Sequence, residues 1–272
     1  MINFVGAKPV PYGLIDSKND LRYDVDALEK GLSDKTKMII INSPGNPTGC
    51  ILSEEELQKI ANIANERDLW VLSDEIYNSI LYDDIFESIT QFDGMKERTI
   101  ILDGLSKKYS MHGYRFGYGV VPDDLIEYMT KLATNFHSCV PAFIQRGAVE
   151  AINGKESNEQ VEIMVKDYAG RRDLMVDLLN DIEGITCHKP KGSFYVFSNF
   201  TDFCNIKNIN SDALQTGLLY KAGVAILKRS YFGKPQENET DDYFRLCFAV
   251  SEEKIIEGIG RMKKYMEKLS YI

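Results

Sequence analysis

The stretch Met38-Ile39-Ile40-Ile41-Asn42-Ser43-Pro44-Gly45-Asn46-Pro47 decides the fold. Its four consecutive apolar residues, closed by turn-forming residues, predict a buried strand. Ser53 and Glu56 then have the spacing of a capping box at the start of an amphipathic helix. The apolar runs Trp70-Val71-Leu72 and Thr99-Ile100-Ile101-Leu102 predict the next two strands. This alternation predicts an α/β fold with a mostly parallel sheet and helices on both of its faces.

The second half of the sequence has a different pattern. After Val120 helical periods dominate, including a long amphipathic stretch from about Glu159 to Asp181. Beyond that stretch, short strand patterns alternate with helical ones. We therefore predict a large domain over residues 1–157 and a smaller C-terminal α/β domain over residues 158–272.

The composition excludes several classes of partner. The 272 residues carry 32 Lys and Arg against 41 Asp and Glu, a formal net charge of −9. Such a chain lacks the positive field that nucleic acids or anionic membranes attract, so we expect neither as a partner. No apolar run approaches the roughly 20 residues that cross a bilayer. The five cysteines form no CxxC pair and no Cys/His cluster, which predicts reduced thiols in a cytoplasmic protein without a metal site.

Residues with useful chemistry follow the three predicted strands. They lie in the segments Asn42–Gly49, Ser73–Tyr77 and Asp103–Arg115. Ligands of parallel sheets usually bind at the carboxyl ends of strands, where these segments fall. Taken singly, each segment has an ordinary explanation as a turn, a pair of solvated acids or surface lysines. Their combination in this order favours a binding site.

The combined motifs resemble those of the class I/II aminotransferases, which are pyridoxal-phosphate (PLP) enzymes of fold type I. Ser106-Lys107 followed by Gly113-Tyr114-Arg115-Phe116-Gly117 is similar to the lysine signature of that family, although Phe116 replaces a smaller aliphatic residue. Pro44-Gly45-Asn46-Pro47-Thr48-Gly49 is similar to the family's Pro-x-Asn-Pro-Thr-Gly loop. Pro190-Lys191-Gly192-Ser193-Phe194-Tyr195 looks like the start of its small domain. The resemblance covers essentially the whole chain.

The resemblance implies a role for each residue at the ring of the cofactor. Lys107 would form a Schiff base with PLP and, once the substrate displaces it, would carry a proton at the substrate α-carbon. Asp74 would keep the pyridine nitrogen protonated. Glu75 suits that role less well, because successive side chains of a strand point to opposite faces. Asn46 and Tyr77 would lie beside the phenolic oxygen.

The resemblance also implies residues for the two anionic groups. Arg115, whose planar guanidinium matches a phosphate, would bind the cofactor phosphate, with Ser106 as a weaker candidate. Arg245 would clamp the α-carboxylate of an amino acid or a 2-oxo acid. Outside the resemblance, an arginine in a strand could equally form an ordinary ion pair. Lys108 and His112 are interpreted as surface or packing residues.

Three functional hypotheses remain open from the sequence. The favoured one is a PLP-dependent aminotransferase, expected to be a homodimer. The second is a PLP-dependent carbon–sulfur lyase, which would use the same lysine and aspartate. The third is a truncated, inactive remnant or half of a split enzyme that serves as a binding partner.

The third hypothesis depends on the region upstream of Asn42. Family members usually have an additional segment there, with a phosphate-binding helix N-terminus and an aromatic residue that stacks on the pyridine ring. The sequence upstream of Asn42 contains no candidate for either feature. We therefore expect an incomplete large domain with an unpaired edge or an uncovered face. We also expect a reduced affinity for PLP.

Overall fold

Two sheets of three or more strands and nine α-helices form most of the described part of the computed structural model, which covers residues 2–17, 20–233, 239 and 242–269. The strands are β1 (Leu14–Asp16), β2 (Leu21–Tyr23), β3 (Met38–Asn42), β4 (Trp70–Asp74), β5 (Thr99–Gly104), β6 (Gly117–Val120), β7 (Tyr195–Asn199), β8 (Leu227–Lys228) and β9 (Tyr243–Cys247). The helices are α1 (Val25–Lys30), α2 (Glu54–Glu66), α3 (Leu105–Lys108), α4 (Asp123–His137), α5 (Ala142–Asn153), α6 (Lys155–Asn180), α7 (Thr201–Ile206), α8 (Ser211–Gly217) and α9 (Glu252–Glu267). In addition, β1 and β2 form a separate hairpin.

The larger sheet has the strand order β3-β4-β5-β6. Strands β3, β4 and β5 run parallel, and β6 runs antiparallel to β5. The predicted α/β architecture with a mostly parallel sheet is therefore confirmed. The register pairs Asn42 with Asp74, and Asp74 with Leu102. The carboxyl ends of the three parallel strands thus meet at one edge of the sheet.

Helix α2 covers one face of this sheet. Ser53 Oγ accepts a hydrogen bond from the Glu56 N–H at 3.3 Å, and Glu56 Oε2 accepts one from the Ser53 N–H at 2.8 Å, which confirms the predicted capping box. The apolar side of α2 packs against Ile39, Ile41 and Val71 of the sheet. This packing holds β3 and β4 in place, and with them the starting points of the loops that follow the two strands.

The opposite face of the sheet is partly open. Met38, Ile40 and Leu102 are 39%, 40% and 37% exposed. The parallel register places Ile40 and Leu102 on the face that points away from Ile39. This exposure agrees with the expectation of an uncovered sheet face.

The smaller sheet has the order β7-β9-β8 with antiparallel pairing. It packs with helices α6, α8 and α9 around a core that contains the fully buried rings of Phe200, Phe244 and Phe248. The predicted α/β character of the C-terminal region is therefore found in the structure. Within the described residues, no helix is both long and apolar enough to cross a membrane.

The two sheets meet in a shared core. Tyr77 and Ile80, which follow β4, belong to the same buried cluster as Tyr168 of α6 and Tyr195 of β7. The segment after β4 is thereby held directly against the smaller sheet. The domain division at residues 157 and 158 stays a prediction, and it falls within the first turn of α6.

Candidate functional site

The loop after β3 is the first element of the candidate site. The Asn46 N–H donates a 2.7 Å hydrogen bond to Asn42 Oδ1, and Asn42 Nδ2 donates to the Asp74 carbonyl at 3.1 Å. Asn42 therefore ties this loop to the end of the neighbouring strand. A Cβ at Gly45 would collide with the Tyr23 hydroxyl and with Thr48 Oγ1, so the loop requires glycine there.

Lys107 lies in the short helix α3, directly after β5. Its half-buried side chain places Nζ 5.6 Å from the centre of the Tyr77 ring and 5.3 Å from the centre of the Phe194 ring. Both rings are within the range in which an ammonium group is attracted to an aromatic face. The structure therefore brings Lys107 and Tyr77 together, with Phe194 as a further neighbour.

Asp74 ends β4 on the same face of the sheet as Asn42. Its half-buried Oδ1 accepts a 3.3 Å hydrogen bond from the Ile76 N–H. Burial raises the pKa of this carboxyl, nearby Asp103 raises it further, and the positive charge of Lys107 lowers it. Asp74 thus lies within the electrostatic range of Lys107 but has no strong cationic partner of its own among the described residues.

The side chain of Glu75 does not point toward Lys107, as the alternation of side chains along a strand predicts. Its Oε1 accepts hydrogen bonds from Ser73 Oγ at 2.9 Å and Ser88 Oγ at 2.7 Å. The side chain is buried, and burial raises the pKa of its carboxyl. Glu75 therefore supports the loop after β4 and does not face Lys107.

Arg245 comes from β9 of the smaller sheet, 199 residues from Asn46 along the chain. Its Nη1 donates a 2.8 Å hydrogen bond to Asn46 Oδ1. The guanidinium carbon lies 4.3 Å from the centre of the Tyr195 ring and 5.1 Å from that of Phe232. The structure thus brings together Asn46 and Arg245, which the sequence analysis proposed for different parts of one site.

Tyr77 connects the two halves of this arrangement. Its hydroxyl donates a 3.3 Å hydrogen bond to the Tyr195 hydroxyl, and burial raises the pKa of its phenol well above the ordinary value. Sequence reasoning gave no role to Phe194, Tyr195 or Phe232. The only signal for the first two was their position in the segment that begins at Pro190.

Among the described residues, no side-chain hydrogen bond, ion pair or ring contact joins Arg115 or Ser106 to the other candidates. Arg115 is exposed, has a left-handed backbone conformation (φ 55°) and donates a 2.7 Å hydrogen bond from Nη1 to the His112 carbonyl. Ser106 lies half-buried in α3. His112 itself is exposed, in keeping with its interpretation as a surface or packing residue.

Comparisons with known proteins are consistent with this architecture. The profile of the family described as aminotransferase class I and II matches residues 1–262. An aspartate aminotransferase of Pyrococcus abyssi is 39% identical over 264 residues, covering 97% of this chain and 65% of that protein. An aromatic-amino-acid aminotransferase of Thermococcus litoralis is 36% identical, with the same coverage of each chain.

Solved structures show the same relationship. The aromatic aminotransferase of Pyrococcus horikoshii superposes with a TM-score of 0.83 at 39% identity, covering 91% of this chain and 64% of that chain. The N-succinyldiaminopimelate aminotransferase of Mycobacterium tuberculosis superposes with a TM-score of 0.89 at 27% identity, covering 97% and 67%.

Fold and site together define an α/β protein with a lysine, a carboxylate and an arginine around the carboxyl ends of parallel strands. The chain belongs to the class I and II aminotransferase family. It spans 65% of the length of the first two curated relatives, which is less than two thirds.

Proposed function

We propose that this chain binds PLP and moves an amino group between an amino acid and a 2-oxo acid. The observation that carries the proposal is one continuous set of contacts from Lys107 through Tyr77 and Tyr195 to Arg245 and Asn46. It links an amine nucleophile to a cation that suits carboxylates. A reaction on an amino acid needs both, because the carboxylate must be held while the amine is exchanged.

The polar groups of the candidate site suit the ring of PLP. Asp74 would hold the proton on the pyridine nitrogen, and its present lack of a strong cationic partner leaves it available for that role. Asn46 and Tyr77 would contact the phenolic oxygen, and Lys107 would provide the covalent attachment. When bound, PLP supplies an electron sink for negative charge at the substrate α-carbon.

Lys107 would have two tasks. Its neutral amine is the nucleophile that makes the covalent attachment. When not attached to the cofactor, the same amine would carry a proton to or from the substrate α-carbon. The ring centres of Tyr77 and Phe194 lie 5.6 and 5.3 Å from the amine nitrogen, which places two apolar surfaces beside it.

The two anionic groups would be bound by arginines. Arg115 would bind the cofactor phosphate through its planar guanidinium, with Ser106 Oγ as a second donor. Its hydrogen bond to the His112 carbonyl restricts the directions in which this guanidinium can turn. Arg245 would bind the α-carboxylate, which all amino acids and 2-oxo acids share.

The test of this function is an amino-transfer assay on the PLP-loaded protein. Aspartate, glutamate, phenylalanine and tyrosine are offered as donors with oxaloacetate or 2-oxoglutarate as acceptors, and new amino acid is quantified. We expect product only when a donor and a 2-oxo acid of a different carbon skeleton are both present. Release of pyruvate from cystathionine without any 2-oxo acid would instead favour a carbon–sulfur lyase.

Asp74→Asn is expected to weaken the binding of the cofactor without destabilising the fold. An amide cannot balance the charge of a protonated pyridine, so the affinity for PLP should fall about 10- to 100-fold. A titration of PLP followed by visible absorbance measures this change. Asp68→Asn, at an exposed surface carboxylate, is the matched control and should bind as wild type does. Unchanged affinity in Asp74→Asn would contradict the assigned role.

The same variant should be more stable than wild type in the absence of PLP. Because the pKa of Asp74 is raised in the folded protein, the unfolded chain loses this proton first as the pH rises. Stability therefore falls as the pH rises from 3.8 through the raised pKa, and ionised Asp74 costs stability at neutral pH. We expect a gain of about 0.5–1 kcal/mol in the free energy of unfolding at pH 7, which vanishes below the ordinary pKa. Urea unfolding at pH 7 and at a pH below 3.8 measures the gain and its loss.

We also propose a homodimer in the cytoplasm. Helix α4 has no buried residue, and one side of it exposes the apolar side chains Ile126, Met129, Leu132 and Phe136. Apolar surfaces of this kind mark protein–protein interfaces, which supports self-association. The five free cysteines support a reducing compartment.

A further inference from the structure

Tyr195 occupies a central position between the two ends of the candidate site. It begins β7, where it pairs with Cys247 of β9, while Arg245 pairs with Phe197. Tyr195 and Arg245 are therefore diagonal neighbours on one face of the antiparallel pair, a separation that long side chains can bridge. Tyr195 is 7% exposed, and the Arg245 guanidinium carbon lies 4.3 Å from the centre of its ring.

The ring contacts of Arg245 leave most of its donors available to a ligand. A guanidinium has five N–H groups, and within the described residues the structure records one hydrogen bond from them, to Asn46, and no ion pair. The rings of Tyr195 and Phe232 contact the guanidinium without using any donor. The two rings thus confine the guanidinium group, and a planar carboxylate can accept two parallel hydrogen bonds from such a group.

The hydroxyl of Tyr195 contacts Tyr77, at the end of the site that contains Lys107. It accepts the hydrogen bond of the Tyr77 hydroxyl, and the Tyr77 ring faces Lys107. A hydroxyl can also rotate and donate, so Tyr195 could donate to Tyr77 while Tyr77 donates to a bound ligand. One side chain therefore contacts both the residue proposed for the cofactor oxygen and the residue proposed for the substrate carboxylate.

We propose that Tyr195 is a positioning residue with two separable parts, an inference that rests on the proposed function: its ring orients Arg245 for the substrate carboxylate, and its hydroxyl orients Tyr77 toward PLP. Tyr195→Phe removes only the second part. Tyr195→Leu removes both.

The first readout is the NMR signal of the Arg245 Nε–Hε group in protein labelled with ¹⁵N-arginine. Protons against an aromatic face are shielded, so this signal, assigned through Arg245→Lys, should lie upfield of ordinary arginines. The upfield position should persist in Tyr195→Phe and be reduced in Tyr195→Leu, where only the more distant Phe232 ring remains beside the guanidinium. This readout needs neither cofactor nor activity.

The second readout is ligand affinity. Succinate, which offers carboxylates without an amine, should bind about tenfold more weakly to Tyr195→Leu than to wild type and unchanged to Tyr195→Phe. Titration of PLP should show about threefold weaker binding to Tyr195→Phe, because the Tyr77 hydroxyl loses its partner.

The matched control is Tyr265→Leu, which removes a half-buried tyrosine of α9 that packs against the same core and has no ring contact with Arg245 or Phe194 among the described residues. It should leave the Arg245 signal and the succinate affinity as in wild type. If Tyr195→Leu does not fold, as judged by thermal unfolding, Tyr195→Met keeps more of the volume and takes its place.

Three results would overturn the inference. They are an Arg245 signal as far upfield in the leucine or methionine variant as in wild type, equal effects of Tyr265→Leu, or a phenylalanine variant that binds PLP as wild type does. Failure of the proposed function looks different. In that case wild-type protein shows no PLP-dependent absorbance, while the Arg245 signal still reports whether Tyr195 orients the guanidinium.

Discussion

Lys107→Ala is expected to abolish the visible absorbance that PLP acquires on binding and to lower amino transfer by at least about 1,000-fold. The variant lacks the amine that we propose as nucleophile and as carrier of the proton at the α-carbon, and no other lysine lies against the rings of Tyr77 and Phe194 among the described residues. An absorbance titration and the transfer assay, run on the same preparation, measure the two losses.

Lys108→Ala is the matched control for this prediction. Lys108 neighbours Lys107 in α3, but its Nζ lies 5.1 Å from the centre of the Tyr109 ring and not against Tyr77. We expect its activity to stay within about twofold of wild type, as for substitutions away from a site. Equal losses in the two alanine variants, or a normal absorbance band in Lys107→Ala, would refute the role of Lys107.

Arg245→Lys is expected to lower kcat/KM for every amino-acid donor by about 100-fold, which corresponds to about 2.8 kcal/mol. Lysine keeps the charge but lacks the planar pair of donors that matches a carboxylate. It also loses the stack on Tyr195 and the geometry of the bond to Asn46. Steady-state kinetics with the donors of the transfer assay measure the change.

Arg261→Lys provides the control for the arginine prediction. Arg261 is an exposed residue of α9 that pairs with Glu257 one helical turn earlier. Its replacement should leave kcat/KM unchanged within error. If Arg245→Lys affects only one donor and spares the others, Arg245 recognises a side chain and not the shared carboxylate.

The large sheet was predictable from the sequence because its signals are local. The apolar run that begins at Met38 is closed by turn residues, and the register of parallel strands then places Asn42 beside Asp74. The capping box of Ser53 and Glu56 needs only four residues of sequence. The separate directions of Asp74 and Glu75 likewise follow from the alternation of side chains along a strand.

The contacts between the two sheets were not predictable in this way. Asn46 and Arg245 are 199 residues apart, and their hydrogen bond depends on how β9 is paired within the smaller sheet. The pairing of β7 with β9 sets Tyr195 against Arg245, and no local pattern near either residue indicates it. Family resemblance supplied Arg245 as a candidate, whereas Tyr195 became evident only in the folded structure.

The residue proposed for the cofactor phosphate was predictable only as a position in the sequence. The motif that contains Lys107 suggested Arg115, but a sequence motif fixes only spacing. In the structure Arg115 is exposed and bonded to the His112 carbonyl, in a left-handed backbone conformation that spacing alone cannot reveal. Its role toward PLP stays a prediction.

The most direct test of the account is to locate the attachment of PLP. Protein loaded with PLP is reduced with borohydride, which makes the lysine linkage permanent, and is then digested and sequenced by tandem mass spectrometry. The account predicts that the added pyridoxyl mass lies on Lys107. A mass on Lys108, or a label spread over surface lysines with Lys107 unmodified, would contradict it.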